Sequence, residues 1–190
     1  MVKKPLKVGF DLDGVLLYNP ARIVRPFIAH VKKQFFPQEK TTFHIPQGEI
    51  EKRLWEFLHL SSFFISPGFT DIKELVQLKK IDGYIITARY SFLQGNFETW
   101  KRKLEAKRWF KASIMNSSNM QPHLYKEKMV KRYNLDYFIE DNWDIVKYLN
   151  KTCKHTSVFW IYNVFDRGID YKFKFPSLSE AVKEIGRKVK

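Results

Sequence analysis

Three short stretches of the sequence collect residues whose types can do chemistry: Asp11-Leu-Asp-Gly14, Thr87-Ala-Arg89 and Glu140-Asp-Asn142. Carboxylates brought together from separate stretches repel unless a cation sits between them, and hard oxygen donors of this kind suit Mg²⁺. Next to such an ion a phosphate can be held, and one carboxylate can attack phosphorus to give an aspartyl-phosphate. Asp11 is the candidate nucleophile. Asp13, two residues further on, is placed to protonate a leaving oxygen and then to activate water. The Thr87 hydroxyl can hydrogen-bond a phosphoryl oxygen, and an ammonium at Lys126 offsets the charge on nucleophile and transferring group, with Lys128 as the alternative lysine. Arg89 either contacts a substrate phosphate or pairs with a nearby carboxylate. Each motif also has a plainer reading: Asp-x-Asp-Gly as a solvated turn, Thr87 as the cap of a helix opened by Ala88-Arg-Tyr-Ser, Lys126 and Lys128 as a solvated helix start. The five histidines show no ligand spacing and are assigned nothing.

These residues need a scaffold that delivers them to one place. In an open parallel sheet ligands bind at the carboxyl ends of the strands. Leu6-Lys-Val-Gly-Phe10 alternates as a strand and ends at Asp11, Gly83 to Thr87 reads as a buried strand, and Asp136 to Glu140 as another. Between and after them the pattern switches to helical spacing at Ile72, Leu75 and Val76, at Phe97, Trp100 and Leu104, and at Met129, Val130 and Tyr133, with a strand at Ala112 to Asn116. Asp144 is expected to cap a short helix through Leu149, Ser157 to Tyr162 reads as a strand, and Ser177-Leu-Ser-Glu180 is a capping-box pattern before Val182, Ile185 and Val189. Alternating helix and strand predicts an α/β parallel sheet. Ile23, Phe27, Ile28, Val31 and Phe35 predict a helix that Pro26 opens or kinks, and Ile50, Leu54, Phe57 and Leu58 a second one, joined by a loop from Phe36 to Gly48. Residues 19–66 are therefore expected to form a helical insert, with 1–18 and 67–190 as the core.

Taken together the motifs resemble those of the haloacid dehalogenase-like (HAD) phosphohydrolases, in the same order along nearly the whole chain. Asp11-Leu-Asp-Gly-Val15 is similar to motif I, Ile85-Ile-Thr-Ala-Arg89 to motif II, and Phe138-Ile-Glu-Asp-Asn142 to motif IV, while Lys126 matches the placement of the motif III lysine. The resemblance implies a Rossmann-like three-layer core and a Mg²⁺-dependent phosphomonoesterase. Mg²⁺ would be bound by the carboxylates of Asp11 and Asp141 and the main-chain carbonyl of Asp13, with Glu140 in or near the outer shell. Thr87 and Lys126 would grip the phosphate, with Ala88 and Arg89 completing the expected substrate-binding set. It also implies that the insert at 19–66 is a C1-type cap that covers the site and selects the substrate. Within the family the chain looks most like the cytosolic type C 5'(3')-deoxyribonucleotidases, through the modest insert, the paired acids and Val158 to Gly168. It departs from them at Glu140, where those enzymes often carry Asp. The substrate expected is a small phosphorylated metabolite, most naturally a nucleoside monophosphate. The alternatives are a phosphatase of nucleic-acid ends, using the same site, or a catalytically silent nucleic-acid-binding protein with this fold.

Composition bounds these readings. With 190 residues, 44% hydrophobic and 17 of them Phe, the chain has the apolar surface for one sizeable core, which excludes a disordered chain and a large multidomain machine. One cysteine, Cys153, permits no intrachain disulfide or cysteine zinc cluster, which predicts a reducing, cytoplasmic setting and oxygen ligands for any metal. The N-terminal segment fits neither a secretory signal nor a membrane span, so no membrane partner is expected. The formal charge of +14 attracts anions without choosing among phosphates, nucleotides and nucleic acid. The basic run Lys101 to Lys111 is expected as an amphipathic helix, with Trp100 and Trp109 toward the core and its cations toward water, and nucleic-acid binding is the alternative reading of the run.

Overall fold

The computed structural model describes residues 4–18, 43, 45–46, 48–60 and 64–189. Strand β1 (Leu6–Phe10) ends in three buried positions because it is the middle of a sheet: it pairs in parallel with β4 (Ile81–Tyr90) on one side and β6 (Tyr137–Glu140) on the other. With β5 (Ala112–Asn116), β7 (Ser157–Ile161) and β8 (Lys174–Phe175) these make a six-stranded sheet of order β5-β4-β1-β6-β7-β8, every pairing parallel. The expected α/β parallel sheet is what is seen.

Helices cover both faces. Phe69, Ile72 and Leu75 of α2 (Phe69–Gln77), Phe97 and Trp100 of α3 (Gln94–Lys103), Trp109 of α4 (Ala106–Trp109) and Val182 and Ile185 of α7 (Leu178–Lys188) pack into one apolar cluster. Met129 and Val130 of α5 (Pro122–Tyr133) and Ile145, Val146 and Leu149 of α6 (Trp143–Thr152) pack into the other, with Trp160 and Phe138. This two-sided burial explains the apolar runs within β4, β6 and β7. Among the described residues no helix is long and apolar enough to cross a membrane.

Several local expectations need correction. The cap of α6 is Asn142, whose side chain accepts from the backbone N–H groups of Asp144 and Ile145; Asp144 lies inside the first turn. The run Lys101 to Lys111 is not one helix: α3 stops at Lys103 and Glu105 turns left-handed at φ 48°, after which α4 starts afresh, although Trp100 and Trp109 are buried as expected. Strand β4 runs on past Thr87 to Tyr90 with a register shift, so Ala88-Arg-Tyr extends the strand instead of opening a helix. The expected second insert helix is α1 (Glu49–Leu60), whose Ile50 and Leu54 are exposed among the described residues. The helix expected around 23–35 lies outside the described residues, as does most of the loop after it. A two-stranded antiparallel ribbon of β2 (Leu17–Tyr18) and β3 (Phe64–Ile65) stands where the chain leaves and re-enters the sheet domain.

Candidate active site

The loop after β1 is held from below by its apolar residues. Leu12, Val15 and Leu16 are fully buried, and the Asp11 N–H donates to Ile139 O at 3.0 Å, which ties the loop to β6. Gly14 sits at φ 80°, a conformation that a side chain disfavours, and lets the chain turn so that its N–H reaches Leu17 O at 2.8 Å. Asp11 and Asp13 are thereby both presented at the carboxyl edge of the sheet, and both are buried.

Neighbouring strand ends bring the other groups. Asp11, Glu140 and Asp141 place one carboxylate oxygen each within 4.8 Å of one another. Lys126 is only 2% exposed because it shares the inward face of α5 with Met129 and Val130, three and four residues on; Lys128 points to solvent. The Lys126 Nζ lies 3.0 Å from Asp11 Oδ2 and donates a hydrogen bond to Glu140 Oε2. The other Glu140 oxygen accepts from the backbone N–H groups of Asp141 (3.1 Å) and Asn142 (3.0 Å). Glu140 therefore has both oxygens committed to fixing Lys126 and the loop that carries Asp141.

Burial pushes the Asp11 carboxyl up to about 6, against the pull of Lys126 and with added repulsion from Asp141 and Asp13. Burial likewise pushes Glu140 up to about 8, again against Lys126. For Lys126 burial works to strip the proton, but Asp11 and Glu140 outweigh it and raise the ammonium above its usual range. One lysine thus stands among a surplus of carboxylates. Those acids, all hard oxygen donors, fit a divalent cation such as Mg²⁺, which would relieve the repulsion that the single ammonium leaves.

The stretch Thr87-Ala-Arg89 divides its contacts. Thr87 is buried at the end of the sheet beside β1, its Oγ1 accepting from the Arg89 N–H at 3.3 Å, and Ala88 is half-buried next to it. Arg89 turns to Asp13 and grips it with two hydrogen bonds, Nε to Oδ2 at 2.7 Å and Nη2 to Oδ1 at 2.6 Å, while Nη1 donates to Asn96 Oδ1. Of its two expected roles, the geometry displays the carboxylate pair. Sequence reasoning missed Asn96, a polar residue in the first turn of α3, at the carboxyl edge, seven positions after Arg89. It also missed Trp160, whose Nε1–H donates to Asp141 O at 3.1 Å from the β7 position paired with Glu140; strand register was its available signal.

No protein-family model matches the sequence, and no curated protein matches it either. Solved structures do. A HAD-superfamily hydrolase from Ehrlichia chaffeensis aligns over 100% of both chains with a TM-score of 0.56 at 14% identity. The fold is that of the HAD superfamily. CbbY from Rhodobacter sphaeroides in complex with phosphate aligns over 92% of this chain and 95% of its own, TM-score 0.58 at 12% identity. A mutant CbbY in complex with xylulose-(1,5)bisphosphate aligns over the same shares at 0.59 and 11%. With the HAD fold in place, the acidic cluster lies at the carboxyl edge of its central strands.

Proposed function

We propose that the chain is a Mg²⁺-dependent phosphomonoester hydrolase that works through Asp11. The observation that carries this reading is the convergence of Asp11, Glu140 and Asp141 around a buried Lys126, with Asp13 fixed beside them. Asp11 and Asp141, with the Asp13 carbonyl, would hold the ion; when bound, it would neutralise the carboxylates and phosphate so that two anions can meet.

An Asp11 oxygen attacks phosphorus and the bond to the ester oxygen breaks, with Asp13 giving that oxygen a proton; the product is an aspartyl-phosphate. Asp13 then takes a proton from water as the water oxygen attacks the same phosphorus, which frees inorganic phosphate and restores the Asp11 carboxylate. Lys126 and the Thr87 hydroxyl hold phosphoryl oxygens, with the half-buried Ala88 next to them, and Arg89 acts by orienting Asp13.

Residues 19–66 we read as the cap that selects the leaving group. A cavity of about 280 Å³ at the carboxyl end of β4 has the chemistry to take a nucleoside monophosphate: Tyr90 and Phe92 line it with rings, Ser91 and Asn119 with polar groups that bond one another, and Lys52 of α1 with a cation paired to Glu49. A panel of phosphorylated metabolites, including mononucleotides, sugar phosphates and oligonucleotides phosphorylated at either end, assayed with Mg²⁺ and with EDTA, tests this. Turnover of mononucleotides that EDTA and Asp11→Asn both abolish supports it; preference for oligonucleotide ends would transfer the same site to nucleic acid. Salt-sensitive nucleic-acid binding with no turnover of any member would leave a silent protein.

A further inference from the structure

The parallel topology sends the carboxyl ends of the strands to one edge, with Asp11 and Asp141, and the C-termini of the flanking helices to the other. That second edge is where the positive charge collects. The last turns of α3, α4, α5, α6 and α7 hold Lys101 to Lys103, Lys107 and Arg108, Lys131 and Arg132, Lys151, and Arg187 with Lys188. Lys154 adds to them from the loop before β7.

Helix dipoles do not account for this. A helix C-terminus carries about half a negative charge, so one cation in each last turn would already overcompensate. Acidic neighbours absorb some of the excess: Lys101 pairs with Glu98, Arg108 with Glu105, Lys131 with Glu127, Arg187 and Lys188 with Glu184. Arg102, Lys103, Lys107, Arg132, Lys151 and Lys154 are exposed and have no acidic partner within ion-pair distance among the described residues.

These six cations do not converge on a point as they would for a small anion. Lys107 stands just before β5 and Lys154 just before β7, four strand spacings away in the sheet, or about 19 Å. With both strands counted a duplex carries one phosphate charge per ~1.7 Å, so about eleven lie along such a span, only some of them turned toward the protein. Leu78 is the single large apolar side chain exposed on this edge among the described residues, too little to insert into a bilayer. We propose that this edge is a docking surface for the phosphodiester backbone of double-stranded nucleic acid, distinct from the candidate active site. Contacts of this kind fix position without reading sequence. A duplex here lies at least a five-residue strand, ~17 Å, from the Asp11 end of the sheet, so its binding does not require phosphatase chemistry.

The test is fluorescence anisotropy of the full chain with a 20-base-pair duplex carrying hydroxyl ends, as DNA and as RNA, over a salt series, together with two double variants. Arg102→Glu/Lys107→Glu and Lys151→Glu/Lys154→Glu are each expected to weaken binding at least tenfold at low salt, and to flatten the salt slope by about 2 as two phosphate contacts go. Both should still hydrolyse p-nitrophenyl phosphate as the unchanged protein does. Lys52→Glu, on the catalytic edge, is the control and should alter binding less than threefold. Melting curves check folding, and the corresponding Lys→Gln and Arg→Gln versions, which should show smaller losses in the same order, stand in for any variant that unfolds. Absence of duplex binding at low salt, binding indifferent to both double variants, or loss with Lys52→Glu alone would overturn the proposal. Tight binding to anionic lipid vesicles without duplex binding would overturn it too.

Discussion

Replacing Lys126 with Met keeps most of the unbranched stem, one atom shorter, and deletes its charge. Lys126 is 2% exposed, and its ammonium is 3.0 Å from Asp11 and hydrogen-bonded to Glu140, so the variant leaves two carboxyls buried without their counter-ion. Removing one partner of such a buried pair costs roughly 3–5 kcal/mol. At about 2–4 °C per kcal/mol for a chain of this size, the metal-free protein should melt about 6–20 °C lower at pH 8. The sign of the pH dependence follows from the raised carboxyls, about 6 at Asp11 and about 8 at Glu140 against ordinary values of 3.8 and 4.5. A carboxyl whose folded value exceeds its unfolded value binds more protons when folded, so its burial costs least below the ordinary value, and the cost grows as pH rises through the folded value. Deleting Lys126 raises both groups further, so the loss caused by Lys126→Met should shrink between pH 8 and pH 5. Glu140→Gln removes one of the two orphaned charges while keeping an acceptor for the Asp141 and Asn142 N–H groups. Combined with Lys126→Met it should recover at least about 1 kcal/mol relative to additivity. Calorimetric or denaturant unfolding in EDTA at three pH values measures all of this. A penalty under about 1 kcal/mol at pH 8, a penalty that grows on acidification, or zero coupling with Glu140 would refute the reasoning.

Arg89→Ala should lower kcat by about 10²-fold with a smaller change in KM, since it frees the orientation of Asp13, and Arg89→Lys should restore little because an ammonium cannot replace the two-pronged grip; steady-state kinetics separates the two constants. Asn142→Ala removes the cap of α6 and should cost about 1 kcal/mol in denaturant unfolding, whereas Asp144→Ala should cost clearly less. Mg²⁺ at a hundred times its dissociation constant should stabilise the protein by about 2.7 kcal/mol, an effect that Asp141→Asn abolishes in thermal melting.

The core strands were legible because burial on both sheet faces forces apolar runs, and the acids stood out because they interrupt those runs where β1 and β6 end. Lys126 was separable from Lys128 only through the helix face set by Met129 and Val130, which periodicity contains but spacing to Asp141 alone does not. Arg89 stayed open between phosphate and carboxylate because the choice depends on Asp13, 76 positions away in sequence, and on Asn96, whose amide carries no motif. Asp144 and Asn142 are equally good caps by residue type, and what selects Asn142 is that the preceding strand ends at Glu140 and leaves Asn142 in the extended conformation a cap requires. The break at Glu105 went unseen because local pattern favours one helix, while β5 must begin close by at Ala112.

The most direct test is acid quenching of a single turnover with Mg²⁺ and the preferred phosphomonoester, followed by mass analysis of the peptide that contains Asp11. The account predicts the added mass of one phosphoryl group on Asp11, absent from Asp11→Asn, with a longer-lived adduct in Asp13→Asn. Turnover with no adduct at Asp11, undiminished in Asp11→Asn, would contradict it.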